Sequence, residues 1–156
     1  MIESLTCNIW DLHPHANIVI PTNIGWTKEG KNVMGAGLAA QAAQRFPKLA
    51  YFYGQYCKKY GSETEVIPWA GTNQLILFPV KPLNVEKPWL SWQQPASLDL
   101  IRKSAEELED LATSGVIEGL TAVPLVGCGN GKLSEKDVLP ILREELDSRF
   151  ILVRPK

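Results

Sequence analysis

Apolar residues follow two rhythms along this chain. Asn17-Ile18-Val19-Ile20-Pro21-Thr22-Asn23 and Leu75 to Val80 are short, unbroken apolar runs, the pattern of strands buried on both faces. Pro21 lacks a backbone donor, so the regular ladder is expected to end about there. Weaker strand signals lie at Leu5–Trp10, Val66–Ala70, Leu120–Val126 and Phe150–Val153. Asp11 to Ala16 and Gly71-Thr72-Asn73 read as turns. Elsewhere the period is helical. Ala39, Ala42, Ala43 and Phe46 make one small apolar face on a first helix from about Ala36 to Phe46. Pro47 ends that helix and opens a second, which carries Leu49, Phe52, Tyr53, Tyr56, Cys57 and Tyr60 and stops at Gly61. Leu98, Ile101, Ala105, Leu108 and Leu111 mark a third, closed by Gly115. Ser134 opens a fourth, with Asp137 placed for a capping box. The order β β α α β β α β α β predicts an α/β domain: a mixed sheet with helices on both faces. Pro82 to Pro95 is a long loop bearing Trp89 and Trp92, and a loop of that length is usually functional or mobile.

Composition narrows the function classes. The chain has 156 residues, enough for one domain over 1–156. Sixteen basic against 17 acidic residues leave a net charge of −1, so no overall field grips long nucleic acid. A small anion held by local dipoles fits better. Cys7, Cys57 and Cys128 are an odd number without a disulfide-framework spacing, which favours a reducing compartment. No apolar run is long enough to span a membrane, and Met1-Ile2-Glu3-Ser4 does not begin like a signal peptide. A cytoplasmic monomer is expected. His13, His15 and Cys7 lack a fourth ligand at a zinc spacing, so no metal and no cofactor are expected.

Candidate chemistry sits in two glycine loops. Gly35-Ala36-Gly37-Leu38 opens the alanine-rich first helix. Glycine lets a backbone approach a ligand closely, and a helix N-terminus offers unpaired N–H groups and partial positive charge to a phosphate. Gly127-Cys128-Gly129-Asn130-Gly131 follows a strand far along the chain. The two are expected to close on one phosphate-bearing ligand. Gly131-Lys132 is no Walker A loop, because Val126 and Leu133 stand where a glycine and a hydroxyl are needed. Gly35-Ala36-Gly37-Leu38-Ala39-Ala40 fits a dinucleotide fingerprint but does not directly follow a strand, and no acidic residue stands at the expected distance. A thiolate at Cys128 would repel a phosphate, so an unreactive thiol is expected. Trp89, Trp92 and Trp26 either anchor their loops or stack on a base.

Four motifs occur together: Asn23-x-Gly25, Met34-Gly35-Ala36-Gly37-Leu38-Ala39, Leu77-Phe78-Pro79-Val80-Lys81, and Pro124-Leu125-Val126-Gly127-Cys128-Gly129-Asn130-Gly131. In this order they resemble a macrodomain, closest to the DNA ADP-ribosyl glycohydrolase antitoxins (DarG-like), with the terminal ADP-ribose protein glycohydrolases near by. The resemblance runs from Leu5 to Val153. It implies a three-layer α/β/α fold around a mixed, mostly parallel six-stranded sheet, and ADP-ribose as ligand. It places Asn8 and Ile9 near the adenine, Asn23 at the distal ribose, and Gly35, Ala36, Gly37 and Leu38 on one side of the diphosphate. Val126, Gly127, Cys128, Gly129, Asn130 and Gly131 close the other side. Lys81 matches the lysine with which this hydrolytic group attacks the anomeric carbon. Asn8 stands where an aspartate is common, residues 26–30 look inserted, and the 82–95 loop is longer than usual. Gly131 stands where the terminal protein glycohydrolases carry an acid, which favours the DarG-like group. The antitoxins have a further C-terminal part, so neutralising a toxin by binding is not expected of this chain.

The chemistry suits Lys81 independently. A neutral amine can attack an acetal-like carbon and form an adduct that water resolves. Lowering a lysine from about 10.4 to about 7–8 corresponds to roughly 4 kcal/mol, part of which burial beside Leu77-Phe78-Pro79 supplies. The expected activity is therefore removal of ADP-ribose from a nucleobase or a protein. The alternatives are a non-catalytic ADP-ribose-binding module and an ADP-ribose 1″-phosphate phosphatase.

Overall fold

The computed structural model describes residues 1–72 and 74–156; Asn73, assigned above to a turn, lies outside the described residues. Among the described residues, six strands form one sheet in the order β1-β6-β5-β2-β4-β3. They are β1 (Ile2–Thr6), β2 (Asn17–Asn23), β3 (Ile67–Pro68), β4 (Leu75–Lys81), β5 (Thr121–Val123) and β6 (Phe150–Arg154). All neighbours are parallel except β3, which runs antiparallel to β4. Among the described residues, four α-helices cover the faces: α1 (Gly37–Arg45), α2 (Leu49–Tyr60), α3 (Leu98–Thr113) and α4 (Glu135–Glu145).

The unbroken runs in β2 and β4 follow from this layering. Successive strand residues point to opposite faces, and both faces are covered. Ile18, Ile20, Leu75 and Leu77 pack with Ala42, Leu49, Tyr53 and Cys57 of α1 and α2. Val19, Ile76, Phe78 and Val80 pack with Ile101 and Leu108 of α3 and with Val138 and Leu142 of α4. On α2, Leu49, Tyr53 and Cys57 form the buried stripe, and the Tyr53 hydroxyl meets Thr22 Oγ1 at 2.8 Å.

Four expectations need correction. The first strand is Ile2–Thr6, not Leu5–Trp10. Asn8 instead caps a 3-10 turn over Ile9–Leu12 by accepting from Trp10 N at 3.0 Å, and the indole is buried. Over Val66–Ala70 only Ile67–Pro68 pairs, because proline confines the ladder to a short edge. Over Leu120–Val126 only Thr121–Val123 pairs before Pro124. Ser134 precedes α4 without a side-chain cap bond, whereas Ser97 caps α3 by accepting from Leu100 N at 3.2 Å.

Pro21 acts on one side only. Strand β2 continues beside β4 to Asn23, but its ladder with β5 holds only Asn17↔Thr121 and Ile18↔Ala122. The N–H of Asn17 points to β5 and that of Ile18 to the β4 side. By alternation Pro21 therefore faces β5 with no donor. Extending the register past Ala122, successive rungs would need the N–H of Pro124 and then that of Pro21. Neither exists, so β2 and β5 part at their C-terminal ends, where open α/β sheets form ligand crevices.

Candidate functional site: a cationic cleft between two glycine loops

A cleft of about 1550 Å³ opens where β2 and β5 part. Both glycine loops line it, as do Asn8, Ile9, Asn23 and Lys81. Val126 does not; it is fully buried in the core beneath the second loop. Trp26 is also outside the cleft and packs against the α1–α2 side of the core.

The loop between β2 and α1 is held by two asparagines. Asn23 Nδ2 donates to Val33 O at 2.8 Å, and its Oδ1 accepts from Gly25 N at 2.9 Å and from Asn32 Nδ2 at 3.1 Å. The carbonyl oxygen is thus saturated, and one amide hydrogen remains for a ligand. Asn32, which is buried, also donates to Asn23 O and to Gly25 O. Helix α2 backs directly onto this loop, since a methyl on Gly54 would stand 2.2 Å from Gly30 O.

The two glycine loops meet. Gly37 opens α1 at φ +56°, and a methyl there would lie 3.6 Å from Asn130 Nδ2 of the other loop. Gly127 has φ +75°, and Gly131 packs so tightly that a methyl would lie 2.5 Å from Gly127 O. Gly129 is different, with nothing within 4 Å of an added methyl. No described residue accepts from the N–H groups of Gly35 to Ala39, or from those of Gly127, Gly129, Asn130 and Gly131. A row of unpaired donors on each side of a crevice is suited to an anion.

A bulge in β4 sets Lys81. Thr22 pairs with Pro79 but Asn23 pairs with Lys81, so Val80 is the extra residue, a device that re-aims a side chain near a site. Lys81 Nζ donates to Trp92 O at 2.8 Å. Partial burial, and after it the charge of Lys132, hold the Lys81 ammonium below the usual lysine range. Lys132 has a left-handed backbone, φ +65°, and lines the cleft with Lys81 and Lys156. No described Asp or Glu lines it, so the cleft is cationic although the chain is not. Burial pushes the Cys128 thiol up, with Glu135 adding to it, so the thiol stays protonated.

Sequence reading missed Asn32, Lys132 and Gln41. Gln41 Oε1 accepts from Trp10 Nε1 at 2.7 Å, fastening the Asn8 turn to α1. Asn32 and Lys132 act through long-range packing that leaves no local signal. Among the described residues no three His, Cys, Asp or Glu gather as a metal group, and no helix is long and apolar enough to cross a membrane.

No protein-family profile and no curated protein matches the sequence. Solved structures do match the fold. The macrodomain of Mycobacterium tuberculosis DarG is 24% identical with a TM-score of 0.72, over 100% of this chain and 99% of that one. The macrodomain of Thermus aquaticus DarG is 22% identical with a TM-score of 0.71, over 99% and 97%. Thermosipho africanus DarTG, solved in complex with ADP-ribose, is 20% identical with a TM-score of 0.68; the match covers 90% of this chain and 38% of that one. The architecture, the strand order and these likenesses together give one conclusion: this chain has the macrodomain fold.

Proposed function

We propose that the cleft binds ADP-ribose and that the protein is an ADP-ribosyl hydrolase, with Lys81 as nucleophile. The observation that carries the reading is the convergence of two glycine loops and one lysine of lowered basicity on a single cleft that no described Asp or Glu lines. The N–H groups of Gly35 to Leu38 and of Gly127, Gly129, Asn130 and Gly131 hold the diphosphate from two sides. The remaining amide hydrogen of Asn23 meets a hydroxyl of the distal ribose, beside Lys81. Asn8 and Ile9 take the adenine end. Thermosipho africanus DarTG, part of which shares this fold, was solved in complex with ADP-ribose, which supports the choice of ligand.

Chemistry begins with the free amine of Lys81. Nζ forms a bond to the anomeric carbon as the bond from that carbon to the acceptor atom, nitrogen on a base or oxygen on a glutamate, breaks. The bonding electrons leave with the acceptor, which takes up the proton shed by Nζ. The ribose ring then opens, its oxygen taking a proton from water, and gives an iminium adduct; that proton is returned when water adds in the next step. Water adds to the same carbon, the carbon–Nζ bond breaks, and ADP-ribose leaves with the amine restored. Burial and Lys132 favour this route because each raises the fraction of neutral amine.

Calorimetry and turnover on an ADP-ribosylated single-stranded oligonucleotide, with glutamate-modified protein in parallel, test the reading. Lys81→Ala should abolish release while leaving ADP-ribose affinity nearly intact. Normal turnover by that variant overturns the mechanism. Tight ADP-ribose binding with no release from either substrate assigns a binding module instead.

A further inference from the structure

Four of the five arginines hold carboxylates, and the fifth does not. Arg102, Arg143, Arg149 and Arg154 each pair with a Glu or an Asp. Arg45, in the last turn of α1, neither pairs with a described carboxylate nor donates from its side chain to a described acceptor. It is nevertheless held in place. Its guanidinium lies over the buried Trp10 ring, 4.4 Å from the centroid, a contact that orients the planar group and leaves its edge free.

Arg45 lines a second cavity, of about 380 Å³, with Asn8, Trp10, Gln41 and Gln44. Gln41, Gln44 and Arg45 stand at i, i+3 and i+4 on α1 and so share one face. Trp10 arranges two of the walls. Asn8 Oδ1 accepts from Trp10 N at 3.0 Å, and Gln41 Oε1 accepts from Trp10 Nε1 at 2.7 Å. Each carboxamide thus has its oxygen engaged, while no described residue accepts from its nitrogen. Together with the guanidinium this makes a pocket rich in free donors, and no described Asp or Glu lines it. Asn8 and Gln41 also line the large cleft, so the pocket continues from it. Arg45 does not line the cleft, and neither glycine loop lines the pocket. An anion held there is therefore a second one, beyond the diphosphate and past Asn8.

We propose that this pocket takes a phosphate monoester carried on the adenosine ribose, so that the protein selects ADP-ribose bearing that extra phosphate over ADP-ribose itself. This rests on the ADP-ribose reading above, which puts the adenosine half at Asn8 and Ile9. The 5′-oxygen of that ribose already carries the diphosphate, so its 2′- and 3′-oxygens are the places for a further phosphate. A guanidinium meets phosphate oxygens with a fork of parallel N–H bonds. An arginine beside the adenosine ribose is also how dinucleotide-binding folds accommodate a 2′-phosphate. A bare hydroxyl brings no charge to meet Arg45.

The test is calorimetry on the full chain with ADP-ribose and with its derivatives phosphorylated at the 2′- or the 3′-oxygen of the adenosine ribose. One of the two derivatives should bind about 10- to 150-fold tighter than ADP-ribose, the range for a hydrogen bond to a charged group. Arg45→Gln should bring that derivative to within about twofold of ADP-ribose, and should leave ADP-ribose itself within about twofold of the parent. Gln44→Glu, which sets a carboxylate in the pocket and touches nothing in the cleft, should do the same. Equal affinity of the parent for all three ligands overturns the proposal. So does a preference that survives Arg45→Gln, because the phosphate then sits elsewhere. A loss of ADP-ribose in Arg45→Gln as large as the loss of the derivative also overturns it, since Arg45 would then act on the cleft as a whole. If the parent binds no ADP-ribose, the earlier reading falls, and adenosine 2′,5′- and 3′,5′-bisphosphate measured against adenosine 5′-monophosphate decide this one. A preference for a bisphosphate that Arg45→Gln removes upholds the phosphate pocket; no preference refutes it.

Discussion

Alanine placed singly at Gly127, Gly129 and Gly131 separates glycines needed by the fold from one that matters only to a ligand. At Gly127 alanine must hold φ +75°, which costs an L-residue about 1–2 kcal/mol. Its methyl would also lie 2.8 Å from Ile101 Cδ1 and 3.2 Å from Leu133 Cδ1, and overpacking costs about 1–3 kcal/mol. The combined loss is about 2–5 kcal/mol. For a domain of this size each kcal/mol moves Tm by about 2–4 °C, so Tm should fall by about 4–20 °C. Gly131 does not need a left-handed backbone, but the obstacle to its methyl, Gly127 O at 2.5 Å, is main chain that no rotamer change can move. Its Tm should fall by about 2–12 °C. At Gly129 the methyl meets nothing within 4 Å, and removing a glycine restricts the unfolded chain by about 0.4–1 kcal/mol. Tm should hold or rise slightly. ADP-ribose should suffer most at this position, because the methyl occupies space at the diphosphate. Losing one hydrogen bond to a charged group, about 1.5–3 kcal/mol, weakens binding about 10- to 150-fold. Thermal unfolding and calorimetry on the three variants decide the matter. A Gly129→Ala protein that melts like Gly127→Ala, or that binds ADP-ribose with parental affinity, refutes the reasoning.

Two further predictions concern pH. Burial, and then Arg45, hold His13 below its ordinary value of 6.5, with its ring edge-on to Trp10 and Phe46. The unfolded chain binds that proton more readily, so stability is full above about pH 6.5 and falls as pH drops toward the lower folded value. Denaturant midpoints at pH 7.5 and 5.5 should differ less in His13→Phe than in the parent; an unchanged difference removes His13 as the cause. For Lys81, the charged groups lining the same cleft are Lys132 and Lys156. Lys132→Gln should raise the Lys81 pKa, move the rising limb of kcat/KM to higher pH and lower activity at neutral pH, whereas Lys132→Arg should not. A limb that stays in place shows that the field of Lys132 does not reach the amine.

The central strands were legible because they are buried on both faces. Ile18 to Ile20 and Leu75 to Phe78 are wholly inaccessible, so their apolar character has no gaps. The edge was not legible: β1 is exposed throughout, so no face imposes a pattern, and the neighbouring buried residue, Trp10, belongs to a turn. Glycine loops and Lys81 could be read because backbone freedom and a reactive amine are local properties. Lys132 and Asn32 could not. What matters in one is its place beside a lysine at the end of β4, and in the other a carboxamide that bridges Asn23 and Gly25. Val126 was assigned to the ligand only through its place in a motif; it supports the loop from below.

Pro21 and Pro124 both line the cleft, at the positions where β2 and β5 would otherwise go on pairing. Two amide hydrogens missing from the covalent chain make the gap an inherited property of the polypeptide, present before any guest arrives. A sheet able to zip shut would have to be pried apart at each encounter. Here the vestibule stands open by composition, and affinity is not diminished by the work of unzipping strands.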